Sequence, residues 1–346
     1  MKTILITGGA GFIGANAAIR FAGKGWRVVV LDNLSRHGSA SNLSWLQSQI
    51  GLQFVLADIS DYGAIERIVR TEKPEAVLHL AAQVAVTTSL IAPHEDFDIN
   101  ARGTINMLEA LRRHSPDSFF IYASTNKVYG EMSDAETELR DGRYVLKGSE
   151  NGVDELQPAD FCSPYGCSKG TADRYTSEYA RSYGLKTVTF RQSCIYGPRQ
   201  FGCNDQGWVA WFAIAAILGQ KITIYGDGRQ SRDILMVDDL LTAYEAAIER
   251  KNSVAGQIFN IGGGRNNVIS LLDLLTILEK HLKKPVEIAW ENWRHGDQRA
   301  FSSDITKAGR LLGWQPEVSK EKGLQSLFRW VSEDICRQPN SNAAAK

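Results

Sequence analysis

The sequence has no excess charge of either sign: Lys+Arg and Asp+Glu both number 39, so the formal net charge is zero. That removes the electrostatic case for a nucleic-acid partner or an anionic membrane surface. No apolar run is long enough to span a bilayer. The first residues read as a strand leading straight into a glycine loop, not as a secretory leader. Cysteine is scarce. Cys162, Cys167, Cys194, Cys203 and Cys336 are odd in number and match no zinc spacing. Reduced thiols in a cytoplasmic protein are expected, with neither disulfides nor metal. No internal repeat and no interdomain linker is visible. What remains is 346 residues at 43% apolar and 23% charged, a composition that suits a globular chain of one large or two modest domains.

Residues 2–7 are a short apolar, β-leaning run, and Gly8-Gly-Ala-Gly11-Phe12-Ile13-Gly14 comes at once after it. A helix is predicted over 15–22 and a second buried strand over 28–31, ending at Asp32. Glycines at 8, 11 and 14 let the backbone turn tightly and let a pyrophosphate approach a helix N-terminus, where free N–H groups point at it. With a strand before, a helix after and an acid closing the next strand, the pattern points to dinucleotide binding. Asp32 is the expected partner of the adenosine ribose. A carboxylate there repels a 2′-phosphate, which favours NAD over NADP; Arg36 is near enough in sequence to offset part of that repulsion.

Alternation continues with strands over 53–57, 76–80, 119–123 and 187–191 and helices over 62–70 and 94–114. This predicts an α/β fold with a Rossmann-type, doubly wound parallel sheet. Ligands in such sheets sit outside the carboxyl ends of the strands. Asp32, Asp58-Ile59, Leu80-Ala81-Ala82-Gln83 and Ser124-Thr125 all lie there. Residues 131–160 are polar and aperiodic and read as an irregular surface insertion. The expected division is a dinucleotide-binding domain over 1–190 with segments returning near 233–262, a smaller α/β substrate lobe over 191–337, and a disordered tail over 338–346.

In Ser163-Pro164-Tyr165-Gly-Cys-Ser-Lys169, the four-residue spacing puts Tyr165 and Lys169 on one helical face, with Ser163 as N-cap and Pro164 at the first helical position. An ammonium beside the phenol should lower the tyrosine pKa below about 10, suiting it to proton transfer. Arg232 and Arg299 are candidates for a diphosphate, because guanidinium forks match phosphate oxygens. Gln192, Arg199, Gln206, Trp208 and Tyr225, in or beside the turn-rich loops of the second half, complete the candidate substrate contacts. For Trp208, stacking on a base or packing in the core are equally open.

Together these segments, with Asn33, Ser35, Asn100, Tyr196-Gly-Pro198, Gly226-Asp-Gly228 and Arg232-Asp233, resemble the extended short-chain dehydrogenase/reductase family, in its branch of nucleotide-sugar epimerases and dehydratases. The resemblance implies NAD held by the glycine loop and the strand-end residues, Tyr165 as acid/base, Lys169 on the nicotinamide ribose, and Thr125 bonded to the sugar. It also implies a homodimer or homotetramer built on the long helices near Asn100 and Tyr165. Within the branch, Gln83 and the run Thr125-Asn126-Lys127 depart from the common 4-epimerase pattern. Residues 33–36, 84–89, 163–170, 199–201 and 205–208 resemble the CDP-paratose/CDP-tyvelose 2-epimerase group. That implies inversion at C2 of a CDP-hexose through a 2-keto sugar, with Gln83 and Asn126 as candidates for selecting C2. Three alternatives are open: a UDP-sugar 4-epimerase with the same machinery, a 4,6-dehydratase, which the missing acid pair after Thr125 argues against, and an NAD-binding regulatory protein.

Overall fold

The computed structural model describes residues 1–294 and 296–336; the tail expected over 338–346 lies outside them. Seven strands form one all-parallel sheet in the spatial order Gln257–Ile261, Lys186–Gln192, Phe119–Thr125, Ala76–His79, Thr3–Thr7, Arg27–Asp32 and Gln53–Leu56. The first strand alternates between two cores. Ile4 and Ile6 face Ala15, Ala18 and Phe21 of the Phe12–Gly23 helix. Leu5 faces the opposite layer with Ile65, Val69, Leu108 and Leu111. A strand buried on both faces needs apolar side chains on each, as Ile4, Leu5 and Ile6 supply here between two buried threonines, which is why residues 3–7 read as a run rather than as an alternation. The doubly wound sheet expected from the sequence is therefore present.

Strand order runs outward in both directions from Thr3–Thr7, so the carboxyl ends of that strand and Ala76–His79 flank the crevice. The chain then leaves the sheet. Cys194–Tyr196, Ser231–Met236, Val268–Ser270 and Ala300–Phe301 make a smaller sheet, and Ile222–Tyr225 pairs with Ile288–Glu291. Gln257–Ile261 returns to the edge of the large sheet beside Lys186–Gln192. Among the described residues no helix is long and apolar enough to cross a membrane, and all five thiols are free.

The segment 131–160 is not irregular throughout. Thr137–Arg140 and Arg143–Leu146 pair antiparallel across Asp141-Gly142, with φ of 50° and 81°. A two-residue Asp-Gly turn has the twist that a hairpin needs, and only such residues take two successive positive φ values readily. The hairpin is also anchored: Tyr144 N donates to Arg229 O at 3.0 Å, and Ser231 Oγ donates to Tyr144 O at 2.6 Å. The helix expected over 94–114 is present but interrupted, with Pro93–Phe97, a π-type turn at Asp98–Arg102, then Gly103–His114.

Candidate active site

A cleft of about 630 Å³ opens at the carboxyl ends of the central strands, lined by both halves of the chain. Its floor is the glycine loop. Gly11 is the N-cap of Phe12–Gly23 and no side chain caps that helix, so its first N–H groups face the cleft. Gly8 sits at φ 64°, and a Cβ there would lie 2.7 Å from Ala81 N. At Gly14 a Cβ would lie 2.3 Å from Gly8 O. An uncapped helix end under a loop that excludes side chains fits a diphosphate. Gly14→Val is therefore expected to abolish NAD binding measured by calorimetry, with circular dichroism unchanged. Wild-type affinity in that variant would refute the assignment.

Asp32 is buried at the rim, its carboxylate accepting from Ala10 N at 3.0 Å and Leu34 N at 2.8 Å. Burial pushes it up against those bonds. A carboxylate has further lone pairs, so two sugar hydroxyls can still be received. Asn33 Nδ2 donates to Asp58 at 2.7 Å, and Asp58 also accepts from Ser60 N and Oγ. Burial raises Asp58, but the bonds from Ser60 and Asn33 outweigh it and leave the carboxyl lowered. Ser35, Arg36, Phe12, Ile13, Ile59, Leu80, Ala81, Ala82 and Ser124 line the same cleft. Arg36 reaches across it, donating to Gln206 Oε1 at 2.7 Å.

Tyr165, Lys169 and Thr125 converge on the cleft. Ser163 caps the Pro164–Tyr183 helix by accepting from Gly166 N at 3.1 Å, and Pro164 takes the first helical position, as the sequence predicts. The expected lowering of the tyrosine is reversed. Burial pushes Tyr165 up to about 12; a hydrogen bond with Thr125 works against this, the Asp96 charge with it. Lys169 shares the helical face, but its ammonium does not rest on the phenol. Nζ donates to Ala123 O at 2.6 Å and lies 4.4 Å from the Tyr122 ring centre. Burial lowers this amine to about 7.

The substrate candidates divide. Lys127, Gln192, Arg199, Gln206 and Trp208 line the cleft. Lys127 Nζ donates to Gly296 O at 3.0 Å, Gln192 Nε2 to Tyr244 Oη at 2.7 Å, and Trp208 Nε1 to Cys194 Sγ at 3.4 Å. Arg199 is committed to Asp334 at 2.8 Å and to the Trp45 ring at 4.1 Å. Outside the lining stand Asn126, Tyr225, Arg232 and Arg299. Asn126 Nδ2 donates to the buried Gln298 at 3.3 Å. The Tyr225 ring lies under Arg294 at 3.8 Å. Arg232 pairs with Asp297 at 2.6 Å, and Arg299 lies over Tyr144 and Trp293. Gln83 and Asn100 are joined to each other: Gln83 N donates to Asn100 Oδ1 at 2.9 Å, and Asn100 Nδ2 to Gln83 O at 3.1 Å.

Phe201 and Asp205 line the cleft inside segments that carried the resemblance without being named as site residues, and sequence reading missed Ser193 in the lining and Asp96 behind it. Asp96 carried one signal: it lies four residues before Asn100, on the same helical face.

The chain matches the family described as GDP-mannose 4,6 dehydratase over residues 5–327. It is 42% identical to the CDP-paratose 2-epimerase of Salmonella typhi over 334 residues, 95% of this chain and 99% of that protein. Among solved structures it is similar to the UDP-glucose 4-epimerase of Thermotoga maritima with UDP-glucose, at TM-score 0.83 and 33% identity over 96% of this chain and 99% of that one. It is also similar to the UDP-glucose 4-epimerase of Thermus thermophilus in complex with NAD, at TM-score 0.81 and 30% identity, again over 96% and 99%.

Proposed function

Since the chain belongs to the GDP-mannose 4,6 dehydratase family, an enzyme family acting on nucleotide sugars with NAD as cofactor, we propose that it is an epimerase that inverts C2 of a CDP-hexose. The observation that carries the epimerase reading is the absence of a carboxylic acid in the two positions after Thr125. A dehydratase must protonate a departing hydroxyl, and an acid beside the catalytic threonine suits that task. Here Asn126 is turned to Gln298, and Lys127 brings an amine to the cleft lining. Neither can act as a carboxylic acid. The C2 and cytidine parts rest on likeness to the Salmonella typhi CDP-paratose 2-epimerase across nearly the whole chain.

NAD, when bound, supplies reversible oxidation at the sugar carbon. The uncapped helix and the Gly8–Gly14 loop would hold its diphosphate, and Asp32 would receive its adenosine ribose. Tyr165 Oη takes the proton of the sugar hydroxyl and later returns it. Thr125 orients that hydroxyl beside the phenol. The protein's own groups leave Tyr165 protonated near neutrality, so as an isolated side chain it is an acid first. It becomes a base only where positive charge gathers beside it, and Lys169 lines the same cleft. No net redox change occurs, so the cofactor would not need to leave the protein between turnovers. The cleft then keeps the cofactor, and the Arg36–Gln206 bond across its mouth helps to close it.

A substrate panel tests this. CDP-paratose, CDP-glucose, UDP-glucose and UDP-N-acetylglucosamine are incubated with the protein, and products are read by proton NMR. Inversion at C2 of a CDP sugar is expected. Inversion only of the UDP sugars, at C4, would establish the 4-epimerase alternative that the similarity to the Thermotoga maritima protein favours. Loss of water at C5 and C6 would establish a dehydratase.

A further inference from the structure

The carboxylate of Asp96 lies 1% exposed behind the helix that carries Tyr165 and Lys169. Every hydrogen bond it receives comes from a neutral group. Ser168 Oγ, one residue before Lys169, donates to Oδ2. Gln83 Nε2 donates to Oδ1 at 2.8 Å, and Asn100 Nδ2 donates to the same oxygen at 3.2 Å. Asn100 also donates to Ser168 Oγ at 3.0 Å, which closes the network. The other carboxylate that acts on Lys169, Asp173, is differently placed. Arg191 grips both of its oxygens, at 2.9 and 3.1 Å, so its charge is already matched.

We propose that Asp96 is the positioning residue of the proton-transfer pair: it braces the catalytic helix at Ser168 and supplies the negative charge that balances the Lys169 ammonium. The proposal rests on Tyr165 and Lys169 being the reacting pair. A buried ammonium is costly unless a charge of opposite sign is near. Here the helix, the loop at Gln83 and the turn at Asn100 all converge on that one charge. The surroundings agree in sign. Around Lys169 are Tyr165, one turn earlier on the same helix, Asp173 from that helix and Asp96 from Pro93–Phe97, with Tyr122 from Phe119–Thr125 and His79 from Ala76–His79 beside it. Burial, with Lys169 nearby, lowers His79 to about 3, and burial raises Tyr122 well above 10, so both are neutral at working pH. Asp96 is the carboxylate among these groups whose hydrogen bonds all come from neutral donors; burial raises it, the bonds from Ser168 and Gln83 and the Lys169 charge work the other way, and it raises Lys169 against the effect of burial, as Asp173 also does.

The network also reassigns Gln83. Its Nε2 donates to Ala85 O at 2.8 Å as well as to Asp96, and its Oε1 accepts from Ala85 N. Both amide hydrogens are used inside the protein. Gln83 thus acts on the site through Asp96 rather than by touching the sugar.

The test is a direct titration that needs no substrate. In protein labelled with 13C at the lysine ε-carbon, Lys169→Met assigns the resonance, and the wild-type amine is expected to titrate near 7. Asp96→Asn keeps size and shape and removes the charge. It is expected to lower the Lys169 midpoint by about one unit, roughly tenfold in proton affinity. The pH profile of kcat should move with it, while KM changes little. Ser168→Ala keeps the charge and removes the brace, so it should lower kcat and leave the midpoint in place. An unchanged Lys169 midpoint in Asp96→Asn overturns the proposal. Should that variant not fold, 13Cγ titration of Asp96 in the wild type decides: a carboxyl that stays protonated where Lys169 is charged overturns it equally. Failure of the substrate panel would leave these titrations standing, so the two readings fail separately.

Discussion

Replacing Tyr165 by phenylalanine is expected to cut kcat by about 10³-fold, within the range for losing a positioned acid/base group, while fold and NAD binding persist. The ring is 7% exposed, so phenylalanine keeps its packing and only the hydroxyl leaves. The pH dependence identifies the group. With the phenol pushed up to about 12 by burial, the fraction able to accept a proton grows tenfold per pH unit below that value. The forward rate should therefore rise with pH through neutrality. Lys169 works the other way: as pH rises through about 7 its ammonium is lost, and with it the charge that favours phenolate. The wild-type profile is their product, a rise that flattens early. In Tyr165→Phe the rise should vanish from whatever activity remains. Activity above about a tenth of wild type would remove Tyr165 from the chemistry. Steady-state kinetics with the substrate found in the panel measure both.

The parts of this site that were legible in the chain are those fixed by local geometry. Gly8 and Gly14 stand where a Cβ would strike backbone, so their spacing declares the loop. Ser163 and Pro164 declare where the catalytic helix begins, and the structure starts it there. Asp141-Gly142 was equally legible: two residues that accept positive φ between short β-leaning runs mark a hairpin, though the surrounding polarity reads as an irregular loop. What spacing could not supply is the far end of a long side chain. Tyr165 and Lys169 share a face, yet the four-carbon stem carries the amine to the Ala123 carbonyl on another element. Arg232 was identified by type, but its partner Asp297 comes from a loop 65 residues on. Asp96 carried only its spacing from Asn100, because its bond from Ser168 comes from a helix 72 residues away.

The second large effect is on stability. Asp173→Ala is expected to cost about 3–5 kcal/mol, the range for stranding one member of a buried ion pair. Asp173 is 1% exposed and Arg191 is 3% exposed. Two parallel bonds join them, Ser124 Oγ adds a third to Asp173 at 2.9 Å, and Arg191 Nη1 continues to Tyr129 Oη at 3.1 Å. Tyr129 in turn donates to Asn260 at 2.8 Å. The clamp thereby ties the catalytic helix to the strand ends at Ser124 and Arg191 and, through Asn260, to the returning edge strand. Burial alone would lower Arg191, and the Asp173 bonds raise it overall; a guanidinium loses its proton so far above neutrality that it stays charged even when its partner is removed. An isolated charge in that position is what destabilises the variant, more than the lost attraction. The double variant Asp173→Ala/Arg191→Met should consequently recover a large part of the loss, because no charge is then left unmatched. Urea unfolding of the wild type, the single and the double variant measures this. A single variant within about 1 kcal/mol of wild type, the scale of an exposed pair, would show that solvent reaches the clamp and that the helix is held in place by packing instead.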